Sequence, residues 1–216
     1  MARINIDQMR DFLKVYFIAG SNNSSNPISD VLQQAIKGGI TIFQYREKGS
    51  NALTGEEKIA LGRELKEICM AANIPFIVND DVELALALDA DGIHIGQGDG
   101  NASEIRHKIG DKILGISAHS LEEAQRALAV GADYLGVGPV FPTTTKDDTE
   151  EVCGPQFIAQ LRSEGVEAPI VAIGGITKEN APEVVSGRAD GLAIISAISK
   201  AADPADAAKQ LQLIWE

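Results

Sequence analysis

The 216-residue chain carries 19 basic and 31 acidic residues, for a formal net charge of −12, and is 44% hydrophobic. This acidity argues against a nucleic-acid or anionic-membrane partner, because both need a basic surface to displace counterions. Cys69 and Cys153 follow neither a metal-ligand nor a redox spacing, and neither a secretion signal nor a membrane-length apolar run is seen. The composition therefore predicts a soluble, cytoplasmic chain with residues 1–216 as a single domain.

Short apolar runs alternate with segments of helical period along the chain. Runs rich in Ile, Val and aromatic residues predict strands at 15–18, 40–46, 76–79, 92–95, 113–117, 134–138, 170–173 and 192–196. Helical period is seen between them, for example at 56–72, 121–130, 180–186 and 204–215. About eight β/α units with no linker, and no dinucleotide-binding glycine fingerprint after the first strand, predict an α/β fold of the TIM (β/α)8 barrel class.

A weak repeat marks three of the predicted helix-to-strand connections. Asp91, Asp133 and Asp190 each follow an alanine just before a strand. Small residues permit a tight turn there, and the aspartate can bond nearby backbone groups. Recurrence of one connection is typical of a repetitive β/α architecture.

The second predicted strand changes from apolar to polar along one face. Period-two geometry places Ile40, Ile42, Gln44, Arg46 and Lys48 on that face. A parallel strand is covered on both sides, so burying Arg46 and Lys48 is costly unless an anion meets them. The pattern favours an anion site at the end of the strand over an exposed edge with solvated charges.

Carboxylates follow the third and fourth predicted strands. Asp80 and Asp81 come directly after Asn79, and Asp99 lies in the next loop. The carboxyl ends of the strands carry the active site of such barrels, and Mg²⁺ is held by one or two carboxylates with substrate phosphates and water. Carboxylates from two neighbouring strand ends therefore suggest a magnesium site, and the alternative interpretation of Asp81 is a helix N-cap.

Two later loops favour phosphate binding. Thr143, Thr144, Thr145 and Lys146 follow the sixth strand and can supply several donors, although a solvated threonine loop is the alternative. The polar stretch up to Cys153 is long for a βα loop, as active-site lids often are. Gly174-Gly175 after the seventh strand and Ile195-Ser196 at the eighth occupy the recurrent phosphate position of this fold.

The sequence predicts a different environment for each of the three histidines. His94 alternates with two isoleucines and is interpreted as a hydrogen-bonded core residue, and His107 lies on a charged helix face at the surface. His119 follows Ser117 at a strand end, where a direct role stays open.

In this order the motifs resemble the thiamine-phosphate synthase family over nearly the whole chain, from Val15 to the last helix. The motifs are Gln44-Tyr45-Arg46-Glu47-Lys48, Val78-Asn79-Asp80, Gly92-Ile93-His94-Ile95-Gly96-Gln97 with Asp99, Gly115-Ile116-Ser117, Gly138-Pro139-Val140-Phe141-Pro142-Thr143-Thr144-Thr145-Lys146, Ile173-Gly174-Gly175-Ile176 and Ile195-Ser196. Together these motifs are highly specific for the family. Gly98 and Gly100 depart from the pattern and predict a more flexible loop around Asp99.

The resemblance implies a transferase that condenses a hydroxymethylpyrimidine diphosphate with a thiazole phosphate, giving thiamine phosphate and pyrophosphate. It implies a pyrimidine diphosphate site formed by Gln44, Tyr45, Arg46, Glu47, Lys48, Asn79, Ser117 and Lys146, with catalytic roles for Arg46, Lys48, Ser117 and Lys146. It implies Mg²⁺ on Asp80 and Asp99, and thiazole phosphate on Thr143, Thr144, Thr145, Gly175, Ile195 and Ser196.

A dissociative displacement agrees with these residues. Pyrophosphate leaves readily only if its growing charge is neutralised, which Mg²⁺ and the cations can do. The aminopyrimidine can share the charge left on its methylene carbon, so the protein needs no nucleophile and only positions the two substrates and excludes water.

Three alternatives are less consistent with the sequence. A thiazole tautomerase-type relative would lack the diphosphate residues, which are all present. A catalytically silent barrel that binds a phosphorylated metabolite would not need the magnesium residues. A sugar-phosphate isomerase would need an acid–base pair, and none is identified. Homo-oligomerisation is left open.

Overall fold

In the computed structural model, which describes residues 4–143, 145 and 151–216, eight parallel strands close into a barrel in sequence order. The strands are β1 Val15–Ala19, β2 Ile42–Tyr45, β3 Phe76–Asn79, β4 Gly92–Ile95, β5 Ile113–Ala118, β6 Tyr134–Val137, β7 Ile170–Ile173 and β8 Gly191–Ile194. Closure is made by β1 on β8, where Val15 pairs with Leu192. The predicted TIM barrel is confirmed.

Helices surround the barrel and connect its strands. They are α1 Ile6–Leu13, α2 Ile28–Lys37, α3 Gly55–Ala71, α4 Val82–Ala87, α5 Ala102–Ile109, α6 Leu121–Ala129, α7 Gln156–Ser163, α8 Ala181–Ser186, α9 Ser196–Ser199 and α10 Pro204–Gln212, with 3-10 turns at Ser21–Asn23 and Leu213–Trp215. Within the described ranges, none of these helices combines the length and the apolar character needed to cross a membrane.

Alternation along the strands divides the core into two layers. One layer lies between strands and helices and includes Phe17, Phe43 and Phe76. The other fills the lumen with Tyr16, Ile42, Ile77, Ile113, Tyr134, Val171 and Ala193, and takes Met9 and Leu13 from α1. Since α1 closes the end of the barrel where the strands begin, the opposite end is left for the site.

The recurring aspartates bond the strands that precede them, as the sequence predicts. Asp91 accepts from the Phe76 amide at 2.8 Å, Asp133 from the Leu114 amide at 2.9 Å, and Asp190 from the Ile170 amide at 2.8 Å. Thr41 does the same for the Val15 amide at 2.9 Å. Each bond satisfies a backbone donor at the start of a strand, which holds the strands in register.

Three strands are shorter than predicted, and β6 ends one residue early at Val137. β2 begins at Ile42, and Ile40 packs in the layer between strands and helices rather than on the same face as Ile42. β8 ends at Ile194, and Ser196 begins the short helix α9 instead of ending the strand. Ile40 and Ser196 both lie outside the strands, where strand alternation does not apply.

Candidate active site

The carboxyl ends of β2, β3 and β4 bring the predicted charged residues together. Lys48 Nζ donates to Asp80 Oδ2 at 2.9 Å, and the Asp80 carboxyl group lies close enough to that of Asp99 for the two to interact electrostatically. Burial raises the pKa of Asp80 above its ordinary value, and the neighbouring charge of Asp99 adds to this rise while Lys48 opposes it. We call this group, Lys48 with Asp80 and Asp99, the carboxylate edge.

The backbone holds both carboxylates in place. Asp80 has a φ of 60°, a left-handed conformation that Asp and Asn adopt more readily than most residues. Asp99 Oδ2 accepts from the Gly96 amide at 2.7 Å, so its own loop anchors the side chain. The expected flexibility around Gly98 and Gly100 therefore does not leave Asp99 without support.

The donor set of the carboxylate edge fits a magnesium ion. Lys48 and Gly96 donate to Oδ2 of Asp80 and to Oδ2 of Asp99, so an ion would be held through the Oδ1 atom of each carboxylate. Mg²⁺ commonly takes one or two carboxylates and completes its shell with water and phosphate. Over residues 4–143, 145 and 151–216, no group of three or more His, Cys, Asp or Glu forms a fuller cage. Asp81 is the N-cap of α4 and accepts from Leu84 and Lys58, which supports the capping interpretation.

Side chains of the motif at the end of β2 point in different directions, and not all of them face the site. Gln44 and Arg46 are buried, at 2% and 7% exposure, and the Gln44 amide faces the lumen, where it donates to Tyr16. Tyr45 instead packs in the layer between strands and helices and donates to the Lys58 carbonyl at 3.0 Å, so its side chain is directed away from the site. Glu47 accepts from the amides of Ser21 and Leu53 and thereby organises the neighbouring loops.

A cavity of about 610 Å³ opens at the ends of β5 to β8, at the same end of the barrel as the carboxylate edge. Such a volume suits a small-molecule ligand. Its lining includes predicted site residues on four elements: Ser117, Thr143, Thr145, Gly175, Ile195 and Ser196. The Thr145 hydroxyl donates to Ser196 Oγ at 3.3 Å, which joins the loop after β6 to the start of α9. Thr144 and Lys146 lie outside the described residues.

Glycine lets the loops after β6 and β7 pack closely at this cavity. Gly174 and Gly175 have φ values of 103° and 62°. A Cβ on Gly175 would lie 2.5 Å from the Pro142 carbonyl oxygen, so a larger residue there would displace the loop that carries the threonines. Gly175 is therefore needed for the shape of the cavity wall as well as for backbone access to a ligand.

The remaining predicted residues occupy the expected end of the barrel. Asn79 ends β3 in register with His94 of β4. His119 lines the cavity, and its Nδ1 lies 3.3 Å from Glu123 Oε2, whose oxygen also accepts from the His119 amide. His94 makes two hydrogen bonds inside the barrel, as predicted for a core histidine.

The sequence interpretation missed Lys200, which lines the cavity at the end of α9. Its position four residues after Ser196 would have placed both side chains on one helical face, had the short helix been predicted. Lys200 adds a cation to the lining of the cavity.

Comparisons with known proteins agree with this geometry. A family model described as thiamine monophosphate synthase matches residues 15–198. The thiamine-phosphate synthase of Geobacillus thermodenitrificans is 56% identical over 98% of this chain and 96% of its own length, and that of Bacillus velezensis is 55% identical over 97% and 94%. The thiamine phosphate pyrophosphorylase of Pyrococcus furiosus has a TM-score of 0.84 at 38% identity, covering 95% of this chain and 96% of its own. A 2-keto-3-deoxy-6-phospho-gluconate aldolase from Zymomonas mobilis, at 14% identity and a TM-score of 0.72, shares the fold alone.

Proposed function

The chain belongs to the thiamine monophosphate synthase family and is a transferase of thiamine biosynthesis; on that premise we propose that it joins its two substrates across the carboxylate edge and the adjoining cavity. The pyrimidine diphosphate lies at β2 to β5, and the thiazole phosphate lies at β6 to β8. The observation that carries this division is that a two-carboxylate, lysine-bearing edge and a hydroxyl-lined cavity occupy the same end of the barrel.

The diphosphate half of the proposal rests on charge. Gln44, Arg46, Lys48, Asn79, Ser117 and Lys146 would bind the substrate, and Asp80 and Asp99 would hold Mg²⁺. When bound, the ion would neutralise charge on the departing pyrophosphate. Arg46 is only 7% exposed, so an anion bound to its guanidinium would lie in a poorly hydrated place where charge stabilisation is strong.

The thiazole half rests on hydroxyl and backbone donors. Thr143, Thr144, Thr145 and Ser196 would donate to its phosphate, with backbone amides at Gly175 and Ile195. A thiazole held here is aligned with the methylene carbon of the neighbouring diphosphate, so its nitrogen can capture the cation once pyrophosphate departs. The apolar wall contributed by Ile173 and Ala193 helps to exclude water, which would otherwise compete for that carbon.

Product formation tests the proposal. Purified chain should make thiamine phosphate and pyrophosphate only when both substrates and Mg²⁺ are present, and an excess of chelator should stop the reaction until Mg²⁺ is restored. Full activity in chelator would contradict the metal role, and no product with both substrates and Mg²⁺ would contradict the function.

The free thiols Cys69 and Cys153 are consistent with the proposed cytoplasmic compartment.

Lys200 gives a test of where the thiazole phosphate lies. Lys200→Gln should raise KM for the thiazole phosphate by about tenfold, the factor for one charge-assisted hydrogen bond, with KM for the diphosphate nearly unchanged. Lys178→Gln is the matched control, because Lys178 is exposed in the loop after β7 and does not line the cavity. Equal increases in both KM values would contradict the division of the site.

A further inference from the structure

A chain of hydrogen bonds crosses the barrel lumen and ends at Ser117. Gln44 Nε2 donates to the Tyr16 hydroxyl at 2.7 Å, which lies 2.8 Å from the Tyr134 hydroxyl. The Tyr134 hydroxyl lies 3.0 Å from His94 Nδ1, and His94 Nε2 lies 3.0 Å from Ser117 Oγ. These hydrogen bonds connect two residues of the proposed diphosphate site, Gln44 on β2 and Ser117 on β5. The three side chains between them, Tyr16, Tyr134 and His94, have no role in the proposed reaction.

Two glycines make room for this chain. A Cβ on Gly115 would lie 2.5 Å from His94 Nδ1 and would overlap the Tyr134 ring as well, and a Cβ on Gly136 would lie 2.8 Å from His94 Cε1. The His94 and Tyr134 rings stack with centroids 5.5 Å apart. Any side chain at either glycine would displace the imidazole, so the backbone of β5 and β6 is shaped around it.

The number of hydrogen atoms on these side chains determines which group donates in each hydrogen bond across the lumen. Burial raises the pKa of both Tyr16 and Tyr134 well above the ordinary value, so both phenols keep their hydrogen. The Tyr16 oxygen accepts from Gln44, and its one hydrogen stays unpaired in the lumen unless it goes to Tyr134. Tyr134 then donates to His94 Nδ1. A neutral imidazole that accepts at Nδ1 carries its hydrogen on Nε2 and donates it to Ser117 Oγ.

We propose that His94 is a positioning residue: Tyr134 holds it in the Nε2–H form, and it orients the Ser117 hydroxyl so that the hydroxyl hydrogen is presented to the substrate. Ser117 lines the cavity and is only half-buried, so its own hydrogen is available to a ligand oxygen. If the imidazole were in the Nδ1–H form, the Ser117 hydroxyl would donate its hydrogen to His94 Nε2, and that hydrogen would not be available to a ligand. The inference rests on the proposed placement of the diphosphate beside Ser117.

The tautomer and its effect can both be measured. Nitrogen-15 NMR of histidine-labelled protein, which contains three histidines, should show His94 as the neutral Nε2–H form. Tyr134→Phe removes the donor to Nδ1 and should shift His94 towards the Nδ1–H form, with kcat lowered about tenfold, as for loss of one ordered hydrogen bond, and KM changed much less. Tyr16→Phe also removes one buried hydroxyl from the lumen, but Tyr134 can still donate to His94, so the Nε2–H form should persist.

A double-mutant cycle separates positioning from loss of packing. In a Ser117→Ala background, Tyr134→Phe should lower kcat no further, because His94 acts through Ser117. An Nδ1–H or doubly protonated His94 in the wild-type protein, or the same kcat loss with and without Ser117, would overturn the proposal.

His94 variants cover the case in which Tyr134→Phe does not fold. His94→Gln can retain an N–H near Ser117 and should keep more turnover than His94→Leu at matched Tm; equal losses would overturn the proposal. Wild-type product formation is a separate readout, so failure of this inference is distinguishable from failure of the proposed function.

Discussion

Asp80→Asn is expected to lower kcat for thiamine phosphate formation by about 100- to 1000-fold, the effect of losing roughly 3–4 kcal/mol of metal-assisted charge stabilisation. Asparagine keeps the shape of the side chain and tolerates the φ of 60° at this position. It removes the charge beside Asp99 that would hold the ion. If the defect is one of metal affinity, high Mg²⁺ should restore part of the turnover.

Asp81→Asn is the matched control for this change. Asp81 is the adjacent residue and undergoes the same chemical substitution, but its carboxylate caps α4 and contacts Lys58. Asparagine is also a good N-cap, so stability and turnover should both stay near the wild-type values. Steady-state kinetics over a range of Mg²⁺ concentrations compares the two variants. A wild-type Mg²⁺ dependence and kcat in Asp80→Asn would remove the carboxylate edge from the reaction.

Lys146→Ala is expected to lower kcat by about two to three orders of magnitude while KM for the diphosphate changes far less. The sequence places Lys146 directly after Thr145, whose hydroxyl reaches Ser196 at the cavity. A compact, mobile ammonium group can follow a phosphate oxygen whose charge grows as the C–O bond breaks. An interaction that strengthens only in the transition state raises kcat without tightening substrate binding.

Lys200→Gln provides the contrast for Lys146→Ala, because it should change KM for the thiazole phosphate and leave kcat nearly intact. Single-turnover measurements with saturating substrates would show whether the chemical step itself is slowed in Lys146→Ala. A defect confined to KM would make Lys146 a ground-state binder, and wild-type kinetics would remove it from the site.

The barrel itself could be predicted from the sequence because each β/α unit carries a local signal. Buried parallel strands appear as short apolar runs, and Asp91, Asp133 and Asp190 mark the connections. The ends of elements were less predictable. Strand alternation predicts Ile40 on the face of Ile42, but Ile40 lies outside β2, where the alternating pattern does not hold.

The site residues could be predicted where they follow a strand, since barrel topology gathers all strand ends at one edge. Asp80 and Asp99 are 19 residues apart in number and still meet for this reason. Tyr45 shows the limit of a contiguous motif, because alternation directs its side chain away from that of Gln44.

The lumen chain had no local signal at all. Tyr16 and Tyr134 are separated by 118 positions and meet only because opposite sides of the closed barrel face one another. His94 was recognisable as a core histidine, but its partners depend on the space left by Gly115 and Gly136, which only the packed strands reveal.

The ratio of the two products tests the central claim most directly, namely that one end of the barrel brings both substrates together and excludes water. With both substrates and Mg²⁺ present, pyrophosphate and thiamine phosphate should form in equal amounts throughout the reaction. Pyrophosphate released in excess, or released at an undiminished rate when the thiazole phosphate is omitted, would show that water reaches the cation and would contradict the account.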